Sequence, residues 1–219
     1  DKREELFLPL ANRHGLVTGA TGTGKTVTLQ IMAESFCKAG VPVFAADVKG
    51  DLAGISQAGT PIDALMERAK KIEFDDYGLE ATPTIFWDLF GEQGHPIRTT
   101  VSEMGPLMLS RLMGLSEAQE GALNIAFRLA DTEGLALLDL KDLRALLADL
   151  AERGKEITTQ YGNVQSATIG SIQRRLVVIE EQGGDKFFGE PALDIRDLMR
   201  TTRDGRGYMN ILAADRLMS

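Results

Sequence analysis

Apolar positions along the chain follow two rhythms, and the breaks between them fall on glycine, proline or an acid. Leu16-Val17-Thr18 reads as a short buried strand, and from Thr26 to Ala39 the residues Leu29, Met32, Ala33 and Phe36 mark one face of a helix. Gly40 stands where a left-handed helix stop belongs. Val41-Pro42-Val43-Phe44-Ala45-Ala46-Asp47 then has the near-continuous apolar character of a buried parallel strand, with Pro42 tolerated at its start. Strand, helix and strand make a βαβ unit. Ahead of it, Leu6-Phe7-Leu8-Pro9-Leu10 reads as an edge strand, because Pro9 has no N–H to give a ladder.

From Thr60 the rhythm turns helical. Thr60-Pro61-Ile62-Asp63 predicts an N-cap, a first-turn proline and an acid at N3, opening a short helix to about Lys71. Thr84 to Leu89 alternates around Ile85, Trp87 and Leu89, a strand in which Trp87 is a packing residue. Helices are predicted over Val101 to Met113, opened or kinked by Pro106 and stopped by Gly114, and from the capping box Ser116-Glu117-Ala118-Gln119 to about Ala130. Another covers Leu140 to Arg153, with Leu143, Leu146, Leu147 and Leu150 on one stripe. A last one covers Ala167 to Glu181 along Ile169, Ile172, Leu176 and Ile179, ending at Gly183-Gly184. Tyr208 to Ala213 is strand-like again and is predicted to return to the sheet.

Between the first strand and helix lies Gly19-Ala20-Thr21-Gly22-Thr23-Gly24-Lys25-Thr26, which matches G-x-x-x-x-G-K-[ST] at every fixed position. Glycines let successive backbone N–H groups turn inward around a phosphate, and the helix N-terminus adds unpaired donors and the positive end of its dipole. The Lys25 ammonium suits the β- and γ-phosphates, and the Thr26 hydroxyl suits one position on Mg²⁺. The expected ligand is therefore a nucleoside triphosphate or its product with Mg²⁺, held by Thr21, Gly22, Thr23, Gly24, Lys25, Thr26 and Val27, with Lys25 also the catalytic candidate. Asp47 ends the next strand, at the carboxyl edge where ligands bind in such sheets, and is the second metal candidate beside Thr26. The run Asp47-Val48-Lys49-Gly50-Asp51 has two readings, a capped turn with solvated charges or a group near the phosphates, the metal's water or a neighbouring subunit. His14 likewise reads as a nucleotide-proximal group or as a polar residue fixing the strand entry.

Composition narrows the partners. The 219 residues are 43% hydrophobic and 26% charged, enough for a proper core, and the net charge of −8 with a pI near 4.9 gives no global basic field for nucleic acid or an anionic membrane. Arg174, Arg175, Arg196, Arg200, Arg203 and Arg206 are the candidates for a polyanion surface; a solvated face balancing 32 acids is the simpler reading. The single cysteine, Cys37, reads as a small core or boundary residue in a cytoplasmic protein, and no apolar run reaches the ~18 residues of a membrane span. The chain opens on Asp1 without a signal-like segment and is expected to be trimmed at its start. Two further motifs mislead. Leu135-Ala136-Leu137-Leu138-Asp139 has the form of a Walker B strand, yet Asp139-Leu140-Lys141-Asp142 fits a helix cap with an acid at N3 and no Glu follows Asp139. Asp47-Val48-Lys49-Gly50 fits the D-x-x-G of GTPases, but the N/T-K-x-D that reads guanine is missing. A metabolic kinase is disfavoured for want of a basic lid or an acceptor-binding pattern.

Asn12-Arg13-His14-Gly15-Leu16-Val17-Thr18 followed by the glycine loop resembles the entry to the motor core of the HerA/FtsK group of P-loop ATPases. Asp47-Val48-Lys49-Gly50-Asp51 is similar to the D-x-K-G-[DE] turn of that group and of its conjugation-pump relatives. Asn163-Val164-Gln165-Ser166-Ala167, Phe188-Gly189-Glu190-Pro191 and Asn210-Ile211-Leu212-Ala213 extend the resemblance across the chain to the bacterial YjgR branch of HerA-like helicases. The resemblance implies an α/β fold, a RecA-like core with a parallel sheet, begun by residues 1–60, interrupted by a mostly helical insertion over 61–205 and resumed by a return strand at 206–219. It implies ATP or ADP as the nucleotide, a homo-oligomeric ring, a hexamer among the options, and an ATP-hydrolysing motor moving on DNA. It also places the Walker B strand, catalytic carboxylate and trans-acting arginine beyond Ser219, so that residues 1–219 alone are expected to bind nucleotide without turning it over. The alternative, from a different class, is a nucleotide-gated scaffold whose helical insertion grips a protein partner without DNA activity.

Overall fold

The computed structural model describes residues 6–74, 77–162 and 164–215. In chain order its elements are α1 (Lys25–Lys38), β1 (Val43–Asp47), α2 (Asp63–Lys71), β2 (Thr84–Asp88), β3 (His95–Pro96), α3 (Val101–Met113), α4 (Glu117–Glu133), α5 (Leu140–Glu152), α6 (Gly154–Tyr161), α7 (Ser166–Ile179) and β4 (Met209–Ala213). The chain divides into two compact units, one running to Phe86 and resuming at Ile195, the other covering Trp87–Asp194.

In the first unit β1 and β4 pair in parallel, from Val43 opposite Met209 to Asp47 opposite Ala213. The C-terminal apolar run thus does return to the sheet, as its pattern predicts; the last four residues of the expected 206–219 segment lie outside the described residues. β4 lies between β1 and β2, and the Met209 N–H donates to the Pro83 carbonyl at 2.8 Å. An interior strand must bury both its faces, and Met209, Asn210 and Ile211 are all buried. Asn210 is tolerated there because its side-chain amide donates to the carbonyls of Val43 (3.2 Å) and Leu198 (3.0 Å), tying β4 to its neighbour strand and to the turn before it. Against this sheet α1 packs Ala33 and Cys37, with Val43, Ala45, Leu52, Ile55 and Phe86 around them.

Cys37 is 1% exposed, and burial, then the charge of Glu34, pushes its thiol up from the ordinary value. Both factors suppress the thiolate, the reactive form. A thiol-specific reagent at neutral pH is expected to leave the native protein unlabelled and to label one thiol per chain in denaturant; rapid labelling of the native protein would remove Cys37 from the core.

Three expectations about this unit need correction. Leu6–Leu10 is no edge strand: Leu8–Leu10 forms a 3₁₀ turn with Pro9 at its start, since the fixed φ of proline suits a first helical turn as well as a strand edge. Leu16-Val17-Thr18 is neither buried nor a strand: Leu16 is 87% exposed, and among the described residues none of the three makes a backbone hydrogen bond. An apolar run becomes a strand only when a ladder is offered to it. Helix α2 starts at Asp63 rather than beside Thr60, because Ile62 keeps extended backbone and its carbonyl accepts the first helical bonds.

The second unit opens where the end of β2 pairs in parallel with β3, Trp87 opposite His95 and Asp88 opposite Pro96. Trp87 is buried, as a packing residue should be, with its ring 6.0 Å from that of His95. The helices follow their local signals. A Thr100–Glu103 capping box opens α3, Gly105 breaks it ahead of Pro106, and Gly114 ends it in the left-handed region. Gln119 reaches back to the Ser116 N–H at 2.9 Å to open α4. α7 packs against α3, α4 and α5, and the stripes Leu143, Leu147, Leu150 and Ile169, Ile172, Leu176 meet in one core. At Gly183 a Cβ would come within 2.7 Å of the Phe90 ring, so the residue that ends the helical run is also a close approach. Sequence periodicity did not show α6, a short helix of which Ile157 is buried.

Asp139 settles the competing readings of its motif. Its carboxylate accepts the Lys141 and Asp142 N–H groups at 2.8 and 3.1 Å, while Asp142 returns the favour to the Asp139 N–H at 3.1 Å. It is a helix cap. Asp139→Ala is expected to cost about 1 kcal/mol of stability, within a usual range of about 0.5–2, and to leave nucleotide affinity unchanged; a loss of affinity at constant stability would contradict the capping role.

Candidate functional site

The glycine loop folds around one carbonyl. Ala20 O accepts from the Thr23 N–H (3.4 Å), the Thr23 hydroxyl (2.8 Å) and the Lys25 ammonium (2.7 Å). Gly22 and Gly24 have φ of 81° and 89°, where a side chain is strained, and a Cβ on Gly19 would stand 2.6 Å from Thr23 Oγ1. The motif's glycines are therefore demanded by this backbone. Gly24 is the N-cap of α1, and its carbonyl takes the Thr28 N–H at 2.9 Å. The N–H groups of Lys25, Thr26 and Val27 have no acceptor among the described residues. Three free donors at the positive end of a 14-residue helix, with an ammonium beside them, form a donor set suited to an anion.

Across from this helix start runs the turn that follows β1. Asp47 is 5% exposed, and its carboxylate accepts the N–H groups of Lys49 (3.3 Å), Gly50 (2.8 Å) and Leu52 (3.0 Å). Both oxygens are thus engaged in holding the turn. What the turn presents to the loop is Asp51: the Thr26 hydroxyl donates to Asp51 Oδ2 at 3.2 Å, and the Gln30 side chain donates to the Asp51 carbonyl at 3.0 Å. Asp88, at the end of β2, repeats the Asp47 device, accepting from Phe90, Glu92 and Gln93 at 2.7–2.9 Å.

The structure thus brings the Gly24–Thr26 end of the loop to Asp51, while Asp47 caps the turn that carries Asp51. Thr21, Gly22 and Thr23 form the exposed outer arc of the loop. The Val27 side chain lines a cleft of about 410 Å³ along α1, together with Ile31, Ile55 and Ile72, and leaves only its N–H to the loop. His14 is exposed and makes no hydrogen bond or ring contact among the described residues. Asp51 enters the sequence pattern only as the end of the Asp47–Asp51 run, and the hydrogen bonds separate the two acids, Asp47 on its own turn and Asp51 on Thr26. Of the arginines, Arg206 pairs with Asp204 at 2.8 Å and Arg200 with Asp197 at 3.9 Å in the first unit, and Arg174 bonds Ser171 at 2.8 Å in the second, each engaged locally. Among the described residues no group of three or more His, Cys, Asp or Glu could hold a metal ion, and no helix is long and apolar enough to cross a membrane.

A mixed α/β architecture with parallel strand pairs, and a glycine loop feeding the first helix, is compatible with a P-loop-like fold. The chain belongs to the helicase HerA-like C-terminal family, whose model matches residues 1–219, in agreement with the HerA-like resemblance of its motifs. No curated protein and no solved structure matches it.

Proposed function

We propose that the protein binds Mg²⁺-ATP and Mg²⁺-ADP at Thr21–Val27 and is the ATP-binding part of a HerA-type motor, its helical insertion spanning about 61–205 between parts of the motor core. The observation that carries this reading is the start of α1 itself: first-turn N–H groups without an acceptor among the described residues, the Lys25 ammonium folded onto the loop carbonyl of Ala20, and the Thr26 hydroxyl beside them in sequence. Bound ATP would supply the transferable phosphoryl group and Mg²⁺ would neutralise part of its charge. The chain's own part is to fix and neutralise it. The Lys25–Val27 N–H groups bind phosphate oxygens, and the Lys25 side chain exchanges the Ala20 carbonyl for a phosphate. Thr26 would hold the cation through its hydroxyl oxygen, with Asp47, which caps the adjoining turn, as the second residue serving the metal. Motion on DNA, ring assembly and a cytoplasmic location accompany this reading as proposals.

The net charge of −8 and the self-paired arginines favour keeping the second reading, a nucleotide-gated scaffold that holds a protein partner. Phosphate release by the intact protein with and without DNA separates the two. Turnover stimulated by DNA, the stimulation falling steeply with salt through counterion release, supports the motor. Turnover indifferent to DNA contradicts it and leaves the scaffold.

A further inference from the structure

Thr26 has one hydroxyl proton and two lone pairs, and a cation can use only the lone pairs. In this chain the proton already has a destination: Asp51 Oδ2, 3.2 Å away. The acceptor is placed with some care. Asp47 holds the β1 turn through three N–H groups, Gly50 turns it at φ 73°, and Gln30, one turn along α1 from Thr26, clamps the Asp51 backbone carbonyl at 3.0 Å. Side chain and main chain of Asp51 are thus both tied to α1, the element that opens the phosphate loop.

We infer that Asp51 is the positioning residue for the metal ligand Thr26. By accepting the hydroxyl proton it turns the Thr26 lone pairs toward the loop and raises the oxygen's electron density, so that the cation of a Mg²⁺-nucleotide meets a pre-aimed donor. This role rests on the nucleotide reading of the loop and adds to it a residue that acts only through Thr26. Partners that orient a metal ligand in this way typically change metal affinity by about 10–100-fold when removed.

The test is calorimetry of ADP binding to the intact protein, with and without saturating Mg²⁺, on the parent, Asp51→Ala, Asp51→Asn, Thr26→Ala and the Thr26→Ala/Asp51→Ala double variant. Asp51→Ala is expected to lower Mg²⁺-dependent affinity by about 10–100-fold, with metal-free ADP binding and the thermal midpoint of the free protein unchanged. Asp51→Asn keeps an acceptor oxygen and should recover part of the loss. In the Thr26→Ala background Asp51→Ala should do nothing further, because the group it acts through is gone. Equal losses with and without Mg²⁺, or additive losses in the double variant, would overturn the inference while leaving the loop as the nucleotide site. No ADP binding by the parent protein would overturn both.

Discussion

Lys25→Ala is expected to weaken ATP and ADP binding by about 10- to 150-fold, the equivalent of the ~1.5–3 kcal/mol that a charge-assisted hydrogen bond contributes. The ammonium is already drawn in over the loop, 2.7 Å from the Ala20 carbonyl, rather than extended into water. A phosphate replacing that carbonyl gains a full charge pair without the cost of ordering a free side chain. The loop itself should survive the substitution, because the Thr23 hydroxyl and N–H still hold Ala20 O and the two left-handed glycines are untouched. Calorimetry of the variant against the parent, with thermal unfolding as the control for folding, checks this. Equal affinities would remove Lys25 from the site.

Leu147→Ala carries the largest expected effect on stability, about 2–5 kcal/mol lost from the helical unit. Leu147 is fully buried on α5, in the middle of the stripe that meets α7, and deleting its isobutyl end removes both transfer free energy and the packing of its neighbours. Leu112, 56% exposed on α3, is the matched control and should change stability by no more than about 0.5 kcal/mol when truncated. Denaturant unfolding reads both. A Leu147→Ala loss as small as that of Leu112→Ala would mean that α5 does not bury this stripe.

The helices were legible because their signals are local. Thr100 with Glu103, Ser116 with Gln119 and Asp139 with Asp142 satisfy their own backbone donors within four residues, and Gly114 stops α3 where it stands. β4 was legible because a strand paired on both sides needs an unbroken apolar run; β1 has the same composition but lies at the edge of the described sheet, with Phe44 exposed. What the sequence left out depends on distant partners. Leu16–Thr18 has the composition of a strand and no ladder among the described residues. Pro9 suits an edge and a 3₁₀ turn alike. β3 is two residues long, too short for any period, and α6 begins on Gly154, a residue that favours no helix. In the glycine loop, the positions of the glycines were legible because the backbone needs them: Gly22 and Gly24 sit at positive φ. The choice between Asp47 and Asp51 was not: both end or follow the same strand, and which carboxylate folds back on its own turn and which reaches Thr26 is decided by a hydrogen bond spanning 25 positions of sequence.

The most direct test is an experimental structure of the protein with Mg²⁺-ADP. The β-phosphate is expected within hydrogen-bond distance of the N–H groups of Lys25, Thr26 and Val27, with the Lys25 ammonium on a phosphate oxygen instead of on Ala20 O and the cation on Thr26 Oγ1. Nucleotide bound elsewhere, or a loop left empty with Lys25 still on Ala20 at saturating ADP, would contradict the assignment of this loop as the nucleotide site.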